Sequence, residues 1–87
     1  MINGIFITKV IIDPHYEEKH SGSISDELIL DLVKLLGGKV LEAVDYERPF
    51  SYFVSSPLEL HGRKYKLVWL LEDNEVYLGV VNAHRRR

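Results

Sequence analysis

The sequence predicts an α+β fold: an N-terminal strand, then one main amphipathic helix over about residues 26–36 packed on an antiparallel sheet of three to five strands. Three observations predict it. A capped apolar stripe at three-to-four spacing occupies residues 25–36, alternating β-branched and aromatic runs occupy the second half, and Gly, Pro, Asn and Asp punctuate the boundaries. At 87 residues the chain has room for a single domain, 1–87, burying roughly 60 to 65% of the surface its unfolded form exposes. Apolar residues at 46% and charged residues at 28% place it with globular rather than disordered chains.

The elements follow in order. Ile5, Phe6, Ile7, Val10, Ile11 and Ile12 favour a first strand, which stops at Asp13-Pro14 because proline disfavours helix before it and removes a ladder donor. His15 to His20 reads as a polar one-turn helix or loop. Ser25 is a good N-cap, with Asp26 and Glu27 in the first turn where the helix dipole favours acids, and Ile24 and Ile29 at the positions of a hydrophobic staple. Leu28, Ile29, Leu32, Val33, Leu35 and Leu36 form the apolar stripe, and Gly37-Gly38 ends the helix. Val40 to Tyr46 reads as a strand or extended piece, and Phe50 to Val54 as a short strand before Ser55-Ser56-Pro57. His61-Gly62-Arg63 is a hairpin signal between Leu58–Leu60 and Tyr65–Leu71. In the latter run Tyr65, Leu67, Trp69 and Leu71 share an apolar face, and Lys64, Lys66, Val68 and Leu70 share a face that begins basic. Asp73-Asn74 is a turn, and Val76 to Val81 the final strand, with Gly79 marking a bulge or a close backbone approach.

Charge is segregated along the chain. Residues 1–31 carry two bases against six acids, whereas residues 61–87 carry six bases against three acids, although the total is only −2. The C-terminal part is therefore the candidate surface for an anionic ligand. The absence of cysteine removes disulfide and thiolate-metal chemistry and suits a reducing cytoplasm. The Ile5–Ile7 run lacks the features of a secretory signal, and no apolar stretch approaches the ~18 residues of a membrane span. A cytoplasmic chain without a membrane partner is expected.

Four histidines supply the raw material for chemistry. His15 and His20 are five residues apart, about 140° around a helix and poorly placed for joint ligation, and no His-x-x-x-His spacing occurs, so no metal and no cofactor are expected. A histidine beside cations is what metal-independent RNA cleavage needs. One group takes the 2′-hydroxyl proton, another protonates the leaving oxygen, and cations stabilise the extra charge of the phosphorane-like transition state. His15 or His20, together with His84 and Arg85, are the candidate catalytic residues. Lys19, Tyr52, Lys64, Lys66, Asn82 and Arg86 are the candidate substrate contacts. The competing readings are a solvated Arg85-Arg86-Arg87 tail, a turn-capping His15 and a core role for the strand aromatics. Gly37-Gly38-Lys39 ends a helix where a phosphate loop would begin one.

The run Lys64-Tyr65-Lys66-Leu67-Val68-Trp69-Leu70-Leu71, followed by Leu78-Gly79-Val80-Val81-Asn82-Ala83-His84-Arg85-Arg86, resembles the terminal hairpin of RelE/ParE-like and BrnT-like toxin ribonucleases. The early His15–His20 segment before a helix also looks like the histidine-bearing start of related toxin-like families. The resemblance covers about half of the chain. It implies a metal-independent RNA-cleaving site on the sheet, RNA as substrate on or off the ribosome, a cognate antitoxin as partner, and basic roles for Lys64, Lys66, His84, Arg85 and Arg86. Two further readings stand beside it. One is a non-enzymatic nucleic-acid or protein-binding regulatory module of the same fold. The other is a homodimer joined through a strand edge or the Tyr46–Phe53 segment.

Overall fold

A computed structural model describes residues 1–13 and 24–86. Its elements run β1 (Lys9–Ile12), α1 (Asp26–Lys34), β2 (Asp45–Glu47), β3 (Phe50–Leu60), β4 (Arg63–Glu72) and β5 (Tyr77–Arg86). The strands form one five-stranded sheet in the order β1-β5-β4-β3-β2.

The helix forms where its cap and stripe require. Leu28 N–H donates to Ser25 Oγ at 3.2 Å, satisfying one of the first-turn donors that have no partner within the helix. Ile29, Leu32, Val33 and Leu36 are buried against the sheet. Regular helix ends at Lys34 and a turn continues to Gly38, whose φ of 78° suits glycine; Gly38 N–H then donates to Met1 O at 2.6 Å. The N-terminal segment thus ties down the end of α1. Asn3 completes the clamp, donating to Lys39 O and accepting from Leu41 N–H at 2.7 Å.

Facing α1, Leu67, Trp69, Leu71, Leu78 and Val80 point inward from β4 and β5. Trp69 is the centre of this layer: it is fully buried, stacks on Phe53 with ring centroids 4.1 Å apart, and donates from Nε1 to Ser55 Oγ at 3.0 Å. The indole N–H therefore keeps a partner inside the core. β3 and β4 join through His61-Gly62, both at positive φ, the requirement of a two-residue turn that follows strand twist.

Four features differ from the sequence reading. First, the Ile5–Ile7 run lies outside the sheet; an Ile2–Ile5 bridge closes the Asn3-Gly4 turn instead, and β1 begins only at Lys9. Second, β1 pairs parallel with β5, so the sheet is mixed rather than wholly antiparallel. β2 runs opposite to β1, and three antiparallel reversals after it leave β5 pointing the same way as β1.

Third, β3 is continuous from Phe50 to Leu60 instead of stopping at Ser55-Ser56-Pro57. A register shift between Ser55 and Leu58 sets Ser56-Pro57 opposite Lys66 alone, so the missing N–H of Pro57 falls in a bulge. Fourth, β5 does not end at Val81 but runs to Arg86. Lys64 to Leu67 give the last residues a ladder to pair with, and Ala83, 4% exposed, anchors the stretch in the core. Gly79 is a close approach as its context suggested: a Cβ there would meet Leu70 Cγ and Cδ1 at 3.0 Å.

Candidate nucleic-acid interface

The face of the sheet away from α1 is built by the alternate residues of the same strands. Since directly opposed residues of an antiparallel pair share a face, the register alone assembles it. Lys64 faces Arg86, Lys66 faces His84 and Val68 faces Asn82 across β4 and β5. Paired Cβ atoms lie about 4.5–5.5 Å apart in such a ladder, so four basic side chains share a patch two strands wide. None of the four has an ion pair among the described residues. Glu59 on β3 is the nearest acid by register, opposite Lys64.

The patch is held in shape by its neighbours. Arg86 Nη1 donates to Ser56 Oγ at 2.7 Å, drawing the guanidinium across β4 toward the β3 bulge. Asn82 Oδ1 accepts from Ala83 N–H at 2.9 Å, where the register shift between Val68 and Trp69 leaves Val81 as the extra residue on β5. At the tip of the β3–β4 hairpin, a shallow cleft of about 420 Å³ is lined by Gly62, Arg63, Lys64, Arg85 and Arg86. The ribbon and the cleft adjoin through Lys64 and Arg86.

The candidate residues therefore separate into groups. His84, Arg86, Lys64, Lys66 and Asn82 lie together on the open face. Arg85, opposite Tyr65, starts from the other face and joins the basic residues only at the cleft beyond the strand end. Tyr52 is on the open face but pairs with Leu70 and Asp45, well along the strands from Lys66 and among acids. His15, Lys19 and His20 lie outside the described residues, as does Arg87. β1 runs parallel to β5, and Asp13 N–H donates to Val80 O at 2.9 Å, so the chain leaves β1 two residues before the level of Asn82. His61 is exposed on the hairpin tip.

Arg63 is the contact that sequence reading missed. Its signal was present in the hairpin motif: the residue after a two-residue turn begins the return strand, which places it level with the end of β5. Beyond the basic patch the open face becomes apolar at Val54, Val68, Leu70 and Ile11, and then acidic at Asp45, Glu47 and Glu72. A cleft of about 280 Å³ between Ile11, Phe50, Leu70, Tyr77 and Val81 opens over Gly79. Tyr77 OH donates to Glu72 Oε1 at 2.6 Å. That hydrogen bond, with desolvation and the nearby charges of Glu72 and Glu75, pushes the phenol up to about 12.

Among the described residues, no group of three or more His, Asp and Glu side chains is placed to hold a metal ion, and no helix is long and apolar enough to cross a membrane. No protein-family model, curated protein or solved structure matches the chain.

Proposed function

We propose that the chain is a metal-independent, RNA-cleaving domain of the toxin kind, which grips the RNA backbone on the β4–β5 ribbon and uses His84 for proton transfer. The observation that carries this reading is a pair of cross-strand contacts on one open face, the like-charged Lys64 with Arg86 and, beside it, Lys66 with His84. Like charges set directly opposite each other destabilise a sheet, so their clustering without ion-pair partners is accounted for by an anionic ligand. Arg63 and Arg85 extend the positive field around the hairpin tip. Phosphodiester oxygens meet fixed cations there, and histidine is the residue type that exchanges protons near neutral pH. His15 and His20, which lie outside the described residues, remain the candidates for the second proton-transfer group. In this reading a cognate antitoxin would mask the ribbon.

A second reading, a binding module without turnover, is favoured by one specific observation: among the described residues only His84 among the histidines sits on the ribbon itself. Labelled single-stranded RNA incubated in chelator separates the two. Cleavage that disappears in His84→Ala, while binding persists, supports the enzyme. Intact RNA with salt-sensitive binding, whose salt slope falls by about one in Lys66→Ala, supports the binding module. Failure of the wild-type chain to bind RNA ends both readings. His15→Ala and His20→Ala identify the second group by the loss of cleavage at unchanged binding.

A further inference from the structure

The cations at the hairpin tip are arranged differently from those of the ribbon. Lys64 and Arg86 stand opposite one another on the open face, whereas Arg63 and Arg85 alternate with them along β4 and β5 and start from the other face. All four are exposed, and among the described residues Gly62 completes the lining of the cleft they share at the end of the sheet. No described acid lines that cleft, and none of the four cations has an ion pair among the described residues. Glu59, across from Lys64 on β3, comes nearest by register. Arg86 is positioned by its bond to Ser56 Oγ, which occupies one N–H of its guanidinium and leaves the others available.

We infer that this cleft is a subsite for a terminal phosphate monoester, the phosphorylated end of an RNA whose backbone continues over Lys66 and His84. The inference rests on the RNA reading of the ribbon and adds which part of the RNA the hairpin tip holds. Shape favours an end. An internal phosphodiester is tied to sugars on both sides, and on the open face it meets Lys64 and Arg86 from one direction. A terminal phosphate has a single attachment and three free oxygens, so cations that reach round the end of the sheet from both faces can close on it. Charge favours an end too. A phosphate monoester carries about −1.5 to −2 at pH 7, against a single charge for each internal phosphate, and three guanidiniums offer permanent, forked donors to its oxygens. Lys66 and His84 lie two residues inward from Lys64 and Arg86, roughly 7 Å along the strands, which is about one step between successive phosphates of an extended single strand. The cleft, about 420 Å³, falls in the lower part of the ~300–1,000 Å³ range of small-ligand sites, leaving room for the sugar that carries the phosphate.

Three 2′-O-methyl oligoribonucleotides of one sequence, labelled internally and ending in a 5′-phosphate, a 3′-phosphate or hydroxyls at both ends, test this by fluorescence polarisation with the full chain. The methyl group removes the attacking hydroxyl, so cleavage does not enter the measurement. One phosphorylated form is expected to bind about 10-fold more tightly than the hydroxyl form, the gain of one charge-assisted hydrogen bond, and its identity tells which end is held. Arg63→Ala and Arg85→Ala each bring that ratio toward one, whereas Lys66→Ala weakens all three forms alike and keeps it. Circular dichroism confirms that the variants are folded. Equal binding of the three oligonucleotides overturns the subsite and leaves the RNA reading of the ribbon standing. Binding of a phosphorylated form alone supports the subsite and counts against the ribbon, and binding of none overturns both. An advantage that survives both arginine substitutions in folded protein also overturns the inference. So does inorganic phosphate that displaces the phosphorylated form as effectively as the unlabelled oligonucleotide does, because the cleft then serves a free ion.

Discussion

The two faces of the sheet are made from alternate residues of the same strands, yet they obey different rules. On the covered face, Trp69, Leu67, Leu78 and Val80 are buried beneath α1, and among the described residues no fully buried side-chain polar atom lacks a partner: Trp69 Nε1, for example, donates to Ser55. On the open face, like charges stand opposite one another on β4 and β5, aliphatic residues are half exposed, and acids gather at the far end. One face is arranged for the stability of the chain itself. The other forgoes stability in its cross-strand pairs, which is what a surface built for a ligand or partner does.

Substitutions on each side sharpen that contrast. The largest effect is expected for Trp69→Ala, which removes the most voluminous fully buried side chain and its stack on Phe53. Large-to-small changes of this kind cost about 3–5 kcal/mol, a large part of the stability of so small a domain, and urea unfolding should show the midpoint collapse. An unchanged midpoint would refute the placement of Trp69 at the centre of the core.

Gly79→Ala probes the open side of the same strands. The added methyl meets Leu70 Cγ and Cδ1 at 3.0 Å, but Leu70 is only half buried and can shift outward. A loss of about 1 kcal/mol is expected in the same urea assay, at the low end for overpacking. A loss as large as that of Trp69→Ala would show that the open face is packed as tightly as the covered one.

The smallest effect is one of pH. The Tyr77 phenol is raised in the folded chain, chiefly by its hydrogen bond to Glu72, so the folded state holds the proton more tightly than the unfolded state. Its contribution is complete below the ordinary tyrosine value of 10.0 and is lost as pH rises toward about 12. Tyr77→Phe should remove the part of the alkaline stability loss that falls in that window, and should cost no more than about 1 kcal/mol at neutral pH. A mutant whose alkaline profile matches the wild type would disprove the Glu72 contact.

Much of the fold was legible because it is written in local chemistry. Ser25 caps α1 through its own hydroxyl, Ile29, Leu32, Val33 and Leu36 follow the helical period, His61-Gly62 supplies the turn, and strict alternation sends Trp69 in and Lys66 out. The sequence also located the basic stretch correctly along the chain. It ended the final strand too early, at Val81 rather than Arg86, because arginine and histidine carry no strong strand preference and their extension depends on what lies beside them.

What the tertiary structure decided was pairing. The sequence by itself determined a capped helix, a two-faced strand and a basic C-terminal stretch, since each depends on residues within a few positions of one another. Register across strands decided that Lys66 faces His84, that Arg85 departs from the side of its neighbour, and that Ser56-Pro57 bulges rather than breaks β3. It also set β1 parallel to β5. Those outcomes depend on contacts between residues tens of positions apart, where a one-residue slip sends a side chain to the opposite face. Only the assembled ladder therefore turns a run of basic residues into a single ribbon.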